Sequence, residues 1–278
     1  MFAKKFYVLG AALAMTMCMG LSGAIANAEC NLYGCDNDCK FTTDFRLQEC
    51  YWFKTIGINP YFKLIPDYKL VLESEEERAE VTVLWDTEWI DLRETEIGKR
   101  VKTRVVEERE FEDDTQIEVS RNFFAICQKT NDVIYFGEDV ADCDLEGRGG
   151  FWVNEDGSFD DSLCADGLPP DEEGAWRAGE DDAMPGLIMP GTFLLGSRYF
   201  QEIAEDAEAV DRGENVAMGL TVVTPAGTFK NCVKVVDTNP AEGICKRKDG
   251  DVKKYCPGIG LVKDEDLKLV CYGFDCDE

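Results

Sequence analysis

The stretch "KRVKTRVVEEREFEDDTQIEVSRNFFAI", residues 99–126, decides the fold. Its first half, 99–112, mixes β-branched residues with charged ones, and its second half, 115–126, resumes that pattern after "EDDT" (112–115). Alternation with a period of two, bounded by turn-forming residues, is typical of antiparallel strands that bury one face. The stretch therefore predicts a β-hairpin whose turn lies at 112–115.

The same alternation recurs on both sides of this hairpin. It occupies the ranges 78–85, 131–138, 197–205, 215–223, 228–237 and 251–256. No long stretch with the helical period of 3.6 follows the first 28 residues, although 198–210 is compatible with a helical turn. We therefore predict one mainly β domain over residues 54–278.

The first 28 residues have the composition of an export signal. Lys4 and Lys5 precede an apolar stretch over 6–25, and Ala26-Asn27-Ala28 offers the small residues that a signal peptidase reads. Residues 1–28 are therefore predicted to be a signal peptide, which places the mature protein in the periplasm or outside the cell. The alternative is a retained membrane anchor. A lipoprotein at Cys18 is disfavoured because Met17 precedes it.

Twelve of the thirteen cysteines lie after the predicted signal, an even number that suits disulfide formation in an oxidising compartment. The candidates are Cys30, Cys35, Cys39, Cys50, Cys127, Cys143, Cys164, Cys232, Cys245, Cys256, Cys271 and Cys276. No Cys-x-x-Cys occurs, so structural bridges are favoured over redox or metal thiolates.

Two parts of the cysteine pattern predict particular bridges. The first four cysteines fall within residues 29–53, which predicts a disulfide-tied N-terminal arm whose pairing the spacing leaves open. A hairpin tip at 248–251 would place Cys245 opposite Cys256, and this is the predicted pair. Cys271 and Cys276 either pair with each other or hold the arm.

Charge and composition exclude several functions. The chain carries 56 acidic and 29 basic residues, for a net charge of −27, which opposes binding to nucleic acid or to an anionic membrane. It contains no histidine, which excludes Ser-His-Asp catalysis and histidine-bound zinc. Pairs of carboxylates that could serve a hydrolase are inevitable in so acidic a chain, so they carry little information.

An acidic, glycine-rich region over 139–183 is the candidate for cation binding. Short strands are expected in it near Phe151-Trp152 and Ala175-Trp176. The candidate metal ligands are Asp139, Asp142, Asp144 and Glu146. Three of them alternate before a glycine like the start of a calcium loop, but Val153 stands where the twelfth ligand would be, so this is not an EF-hand. A solvated acidic loop is the alternative interpretation.

Adjacent aromatic residues on predicted strands are the candidate for binding a small ligand. Neighbouring strand residues face opposite sides, so one of each pair fills the core and the other faces away from it. The candidate groove residues are Phe124, Tyr135, Glu138, Tyr199 and Glu202. In the alternative interpretation the acidic region simply covers these aromatic rings.

An ordered series of motifs resembles a family of exported bacterial β-sheet proteins to which no activity is assigned. The motifs lie in 59–264 and include "YFGED" (135–139), "PGLIMP" (185–190), "RYFQE" (198–202), "PAGTF" (225–229) and "CPGIGLVK" (256–263). The last two are also similar to the half-barrel of periplasmic lipoprotein carriers. This resemblance implies a curved antiparallel sheet, a half-barrel or open barrel with long acidic loops, and it carries no activity.

We therefore expect an exported, non-catalytic β-sheet protein that binds an apolar or small ligand. One alternative is an envelope or extracellular interaction protein whose acidic loops bind calcium, and another is a hydrolase. We expect no cofactor, apart from calcium in the first alternative. The expected partner is a small apolar ligand or another envelope protein, with no nucleic acid and no membrane insertion after signal removal.

Overall fold

The structure is a computed structural model that describes residues 34–35, 38–144 and 148–276. The predicted signal peptide, Cys30 and Glu146 lie outside the described residues, as does the side chain of Cys39. Short 3₁₀ turns occur at Asp38–Lys40, Leu47–Glu49 and Glu205–Ala207. Strands make up most of the remaining regular structure, as the alternation predicted.

The described residues contain eighteen strands in chain order. They are β1 (Phe53–Lys54), β2 (Gly57–Asn59), β3 (Phe62–Leu64), β4 (Lys69–Glu73), β5 (Glu77–Leu92), β6 (Lys99–Glu112), β7 (Thr115–Cys127), β8 (Val133–Asp142), β9 (Phe151–Val153), β10 (Phe159–Cys164), β11 (Trp176–Arg177), β12 (Gly186–Met189), β13 (Arg198–Phe200), β14 (Arg212–Thr224), β15 (Gly227–Thr238), β16 (Asp251–Cys256), β17 (Gly260–Asp264) and β18 (Leu267–Gly273).

Fourteen of these strands form one antiparallel sheet. Its order is β11-β8-β7-β6-β5-β4-β18-β17-β16-β15-β14-β13, with β1 paired to β7 and β12 paired to β8. Almost every neighbour in this order is also a neighbour in sequence. The exceptions are the pairing of β11 with β8 at one edge and the pairing of β18 with β4, which joins the first half of the sheet to the second.

The two ends of the sheet approach each other without forming a continuous ladder of hydrogen bonds. This approach shows that the sheet is curved. The Met184 amide donates to the Ile203 carbonyl at 2.8 Å, just beyond β12 on one side and β13 on the other. A Cβ atom at Gly186 would overlap the carbonyl oxygen of Gln201. We call this line of contact the seam. The predicted open barrel is therefore confirmed: the sheet wraps round but is not closed.

The curvature gives the sheet an inner face and an outer face. Residues in register across neighbouring strands share a face, and one such row runs from Leu70 through Val81 to Glu108. The buried core includes Leu70, Leu72, Val106, Val233, Val235 and Leu269. Burying an aliphatic side chain contributes roughly 1.5–3 kcal/mol, so this core is the main source of stability. Phe62 of the β2–β3 hairpin packs on Phe124, with ring centroids 5.2 Å apart.

The N-terminal arm is tied to the sheet by disulfides, as predicted. Cys35 is bonded to Cys245, and Cys50 is bonded to Cys127 at the end of β7. Between these bridges the Asp38 carboxylate pairs with the Arg212 guanidinium, and both side chains are fully buried. The arm therefore lies against β14 and the loop after β15.

The predicted bridge between Cys245 and Cys256 is wrong. Cys256 is bonded to Cys232, which lies across from it on β15. The prediction placed the hairpin tip at 248–251, whereas β15 ends at Thr238 and the connection to β16 runs from 239 to 250. Cys245 lies in that connection and reaches Cys35 instead. Two further bridges among the described residues are Cys143–Cys164 and Cys271–Cys276.

The acidic region contains the two short strands expected near Trp152 and Trp176. The β9–β10 hairpin lies on the outer face, where Asp161 makes a two-pronged ion pair with Arg109 at 2.8 Å. Strand β11 extends the edge of the sheet beside β8. Within the described part of the chain, no helix is long and apolar enough to cross a membrane.

Candidate functional site

Three glutamates lie on the inner face of β6 and β7. Glu110 is directly opposite Glu118, and Glu108 is opposite Ser120 on one side and Val81 on the other. Because side chains alternate along a strand, Glu107 and Arg109 face outward while Glu108 and Glu110 face inward. Glu108 and Glu110 therefore lie on the same face of the sheet as the buried aliphatic side chains, for example in the cross-strand row Leu70, Val81 and Glu108.

The other half of the sheet contributes two carboxylates and a lysine. Lys253 on β16 is in register with Asp264 on β17, and its Nζ atom is 3.6 Å from Asp264 Oδ2. The same Nζ atom is 3.5 Å from Asp237 Oδ2 on β15. This alkylammonium therefore lies between two carboxylates of the inner face.

The segment between β13 and β14 brings two more carboxylates to the seam. The amides of Gln201 and Glu202 both donate to the Asp211 carbonyl, at 2.7 and 3.3 Å, so Glu202 and Asp211 are held side by side. Together with Glu138 of β8 they complete a set that we call the inner carboxylates. Its members are Glu108, Glu110, Glu118, Glu138, Glu202, Asp211, Asp237 and Asp264.

Four of these side chains, those of Glu108, Glu118, Glu138 and Asp211, hold protons more tightly than ordinary carboxylates do. Loss of hydration raises the pKa of Glu118 to about 9 and that of Glu108 to about 8, and repulsion from neighbouring carboxylates adds to it. Burial, with smaller repulsive contributions, likewise raises the pKa of Glu138 and of Asp211 to about 7. Most of these side chains remain partly exposed, so water reaches the inner face.

Aromatic rings border the carboxylates near the seam. Tyr135 stacks on Phe124, with centroids 4.7 Å apart, and its hydroxyl donates to Asn122 Oδ1. Trp176 packs edge-on against Tyr135 at 5.3 Å and is in register with Glu138. Burial raises the pKa of Glu138 and of Glu202, and the nearby indole N–H of Trp176 opposes that rise in both. The Trp176 Nε1–H group forms no hydrogen bond with any acceptor among the described residues.

Tyr199 faces the same interior from β13. Its hydroxyl donates to Asn215 Oδ1 at 3.0 Å, and its ring lies over Gly213, where a Cβ atom would come within 2.8 Å of the ring. Burial raises the pKa of Tyr199 well above its ordinary value, and the negative charge of Asp237 adds to this. Tyr199 therefore lines the wall beside Asp237.

Asp237 has an unused hydrogen-bond acceptor. The residue is 7% exposed, and its Oδ1 atom finds no hydrogen-bond donor in the part of the chain that the structure describes. Burial raises its pKa to about 6, against the attraction of Lys253. A buried acceptor without a donor costs about 1–3 kcal/mol, which a ligand that donates a hydrogen bond would recover.

A pocket of about 520 Å³ opens on the other side of Trp176. We call it the outer acidic pocket. Its acidic lining residues are Asp139, Glu172, Glu173, Glu180, Asp181, Asp206 and Glu208. Trp176, Ala183 and Ala204 form apolar parts of its wall. Trp176 thus borders this pocket and also lies close to Glu138 and Glu202.

The five predicted groove residues all lie on the inner face. Phe124, Tyr135, Glu138 and Glu202 come together around Trp176, while Tyr199 lies further along the wall near Asp237. Their role in binding stays a prediction. Sequence reasoning missed Trp176 and most inner carboxylates, although the alternating acids of "EEREFE" (107–112) were a signal that one face of β6 is acidic.

The predicted metal ligands do not converge. Asp139 pairs with Arg177 at 2.6 Å, and Asp142 Oδ1 accepts from the Asp144 amide at 2.7 Å. Glu146 lies outside the described residues. Over 34–35, 38–144 and 148–276, no group of three or more cysteine, aspartate or glutamate side chains is placed to hold a metal ion.

Comparison with known proteins returned no relative. No protein-family model, no curated protein and no solved structure matches the chain. The resemblance to exported bacterial β-sheet proteins therefore stays a prediction, and function has to be argued from the site itself.

Proposed function

We propose that this protein is a non-catalytic binding module that holds a small organic cation, such as an alkyl diamine, on the carboxylate-lined inner face of its sheet. The observation that carries the proposal is the buried Asp237, whose Oδ1 atom lacks a donor among the described residues while acidic side chains surround it. An ammonium group supplies both a positive charge and hydrogen-bond donors.

Lys253 is an internal example of the ligand chemistry. Its ammonium group lies 3.5 Å from Asp237 and 3.6 Å from Asp264 at the end of an alkyl chain. None of the other six inner carboxylates forms an ion pair with a basic side chain that the structure describes. Charge neutralisation therefore has to come from protons or from a bound cation.

The outer acidic pocket supports entry of a cation near Trp176. Seven acidic residues line it against one basic residue, Arg177, and an acidic cleft attracts positive solutes and raises their local concentration. Trp176 borders this pocket, and an indole is the aromatic ring that stabilises an ammonium group best. The disulfides support export to an oxidising compartment, where an intact binding module of this kind would act.

Titration calorimetry tests the proposal with 1,5-diaminopentane as the probe and 1,5-pentanediol as a neutral molecule of equal length. At pH 8.5 we expect saturable binding of the diamine and none of the diol. Lowering the pH to 5.5 should weaken binding at least tenfold, because Glu108, Glu118, Glu138 and Asp211 then hold protons. At pH 7, binding should release protons, so the measured enthalpy should depend on the buffer.

Glu138→Gln and Asp211→Asn are the test variants, and each should weaken diamine binding at least tenfold. Glu112→Gln removes a carboxylate from an exposed position on β6 and is the matched control. Equal binding of the diol, or diamine binding that neither test variant alters, would overturn the proposal. A response to calcium with none to the diamine would favour the interaction protein with calcium-binding acidic loops.

A further inference from the structure

A second pocket has the opposite charge. It has a volume of about 260 Å³ and lies on the outer face, where the N-terminal arm meets the connection between β15 and β16. Its lining residues are Lys40, Phe41, Arg198, Glu214, Val236, Thr238, Cys245, Lys246 and Arg247. Four basic side chains and one carboxylate thus line one small pocket, in a chain with nearly twice as many acidic residues as basic ones.

The two arginines of this basic pocket are held by the same acid. Glu214 is 8% exposed, and its Oε1 atom accepts from Arg198 at 3.0 Å and from Arg247 at 3.3 Å. A guanidinium carries five N–H donors in a planar fork, so each arginine keeps donors for a further acceptor. Lys40 and Lys246 are exposed and form no ion pair with any residue that the structure describes.

A disulfide and a buried arginine hold the wall of the basic pocket together. The Cys35–Cys245 disulfide ties the arm to the 239–250 connection, and the buried Arg212 lies 4.3 Å from the centre of the Phe41 ring. Arg212 also donates to Thr238 Oγ1 at 3.3 Å and to the Cys245 carbonyl at 3.4 Å. Asp38 neutralises Arg212, so the net positive charge of the pocket comes from its exposed rim.

We propose that this basic pocket is a binding site for a phosphoryl group, carried either by inorganic phosphate or by a small phosphomonoester. A compact dianion can accept hydrogen bonds from both arginines and still face the two lysines, and arginine forks match the oxygens of a phosphate. Charges are screened beyond about 8 Å at physiological salt. An anion in the pocket is therefore affected more by the basic side chains at its rim than by distant acidic residues. The site is independent of the inner carboxylates, because Val236 and Thr238 face outward from β15 while Asp237 faces inward.

Titration calorimetry at pH 7.5 and 50 mM sodium chloride tests the site with inorganic phosphate, phenyl phosphate and acetate. We expect phosphate to bind with a Kd below about 1 mM and acetate to bind at least tenfold more weakly. Phenyl phosphate binding at least tenfold tighter than phosphate would identify an organic phosphomonoester as the ligand class. Equal affinities would identify the free anion.

Arg247→Gln and Lys246→Gln should each weaken phosphate binding at least fivefold. Both positions are exposed, so the melting temperature serves as a check that the fold is unchanged. Lys230→Gln removes an equal charge from an exposed position on β15 and should leave the Kd unaltered. No binding at 10 mM phosphate, or binding that Lys230→Gln weakens as much as Arg247→Gln, would overturn the proposal.

Discussion

Replacing Glu118 by glutamine should stabilise the protein, and the gain should depend on pH. Glu118 has a pKa of about 9 in the folded protein, against an ordinary value of 4.5. The folded state therefore holds this proton more tightly than the unfolded chain does. The stability that results is fully present below pH 4.5 and is lost as the pH rises towards 9.

The magnitude follows from that difference in pKa. One unit corresponds to about 1.4 kcal/mol, so the cost of Glu118 at pH 8 has a ceiling of about 5 kcal/mol. Water reaches the side chain, which is only partly buried, and screening by solvent reduces the cost to roughly 1–2 kcal/mol. Glutamine has no proton to lose in either state. Glu118→Gln should therefore raise the free energy of unfolding by about 1–2 kcal/mol at pH 8 and by less than about 0.5 kcal/mol at pH 5.

Urea denaturation of the disulfide-intact protein, followed by tryptophan fluorescence from pH 5 to pH 9, measures this effect. Glu112→Gln, at an exposed position on the same strand, should change stability by less than about 0.5 kcal/mol at every pH. Identical behaviour of the two variants, or an unsubstituted protein that becomes more stable as the pH rises from 5 to 9, would contradict this expectation.

Three further predictions concern the framework. Asp38→Ala leaves the fully buried Arg212 without its carboxylate and should lower the free energy of unfolding in urea by about 3–5 kcal/mol. Asp44→Ala, at an exposed position, is the control. A decrease below about 1 kcal/mol for Asp38→Ala would contradict the expectation. Replacing both Cys232 and Cys256 by alanine opens a link of 24 residues and should cost about 3.5 kcal/mol. The same change at Cys271 and Cys276, which span 5 residues, should cost about 2 kcal/mol, and the reverse order would refute the loop-entropy reasoning. Gly186→Ala should push β12 away from Gln201 and lower the free energy of unfolding by more than about 2 kcal/mol. It should also speed hydrogen exchange at the Met184 amide, and an unchanged exchange rate would count against a tight seam.

The strands were predictable because alternation is a local property. The hairpin over 99–126 and the strands around 215–237 follow directly from period-two patterning. The pairing of β18 with β4 was not predictable in the same way, because it depends on which distant edges meet. Cys245 was misassigned for a related reason: nothing local to 239–250 distinguishes a long connection from the end of a strand.

The candidate site was predictable only in part. Strand alternation places Glu108 and Arg109 on opposite faces of β6. Charged residues occupy both faces of this strand, so the sequence does not indicate which face is the inner one. The aromatic pairs were informative only in part, because alternation predicts one core ring in each pair. Both rings are buried in Tyr135-Phe136 and in Tyr199-Phe200, since other parts of the chain cover the second face. The basic pocket was not predictable from local patterns, because its lining residues are spread from Lys40 to Arg247 and become neighbours only in the folded chain.

The pairing of β4 with β18 also governs when the chain is able to fold. Residues 69–73 find their partner at 267–273, and Cys35 finds its partner 210 residues later. A chain that emerges N-terminus first therefore holds reactive thiols and an unpaired strand edge until its last segment has arrived. Contacts of such long range form slowly, and disulfide reshuffling takes seconds to hours. Any early pairing of Cys35 with a nearer cysteine therefore has to be reversed by thiol–disulfide exchange before the bridge to Cys245 is able to form.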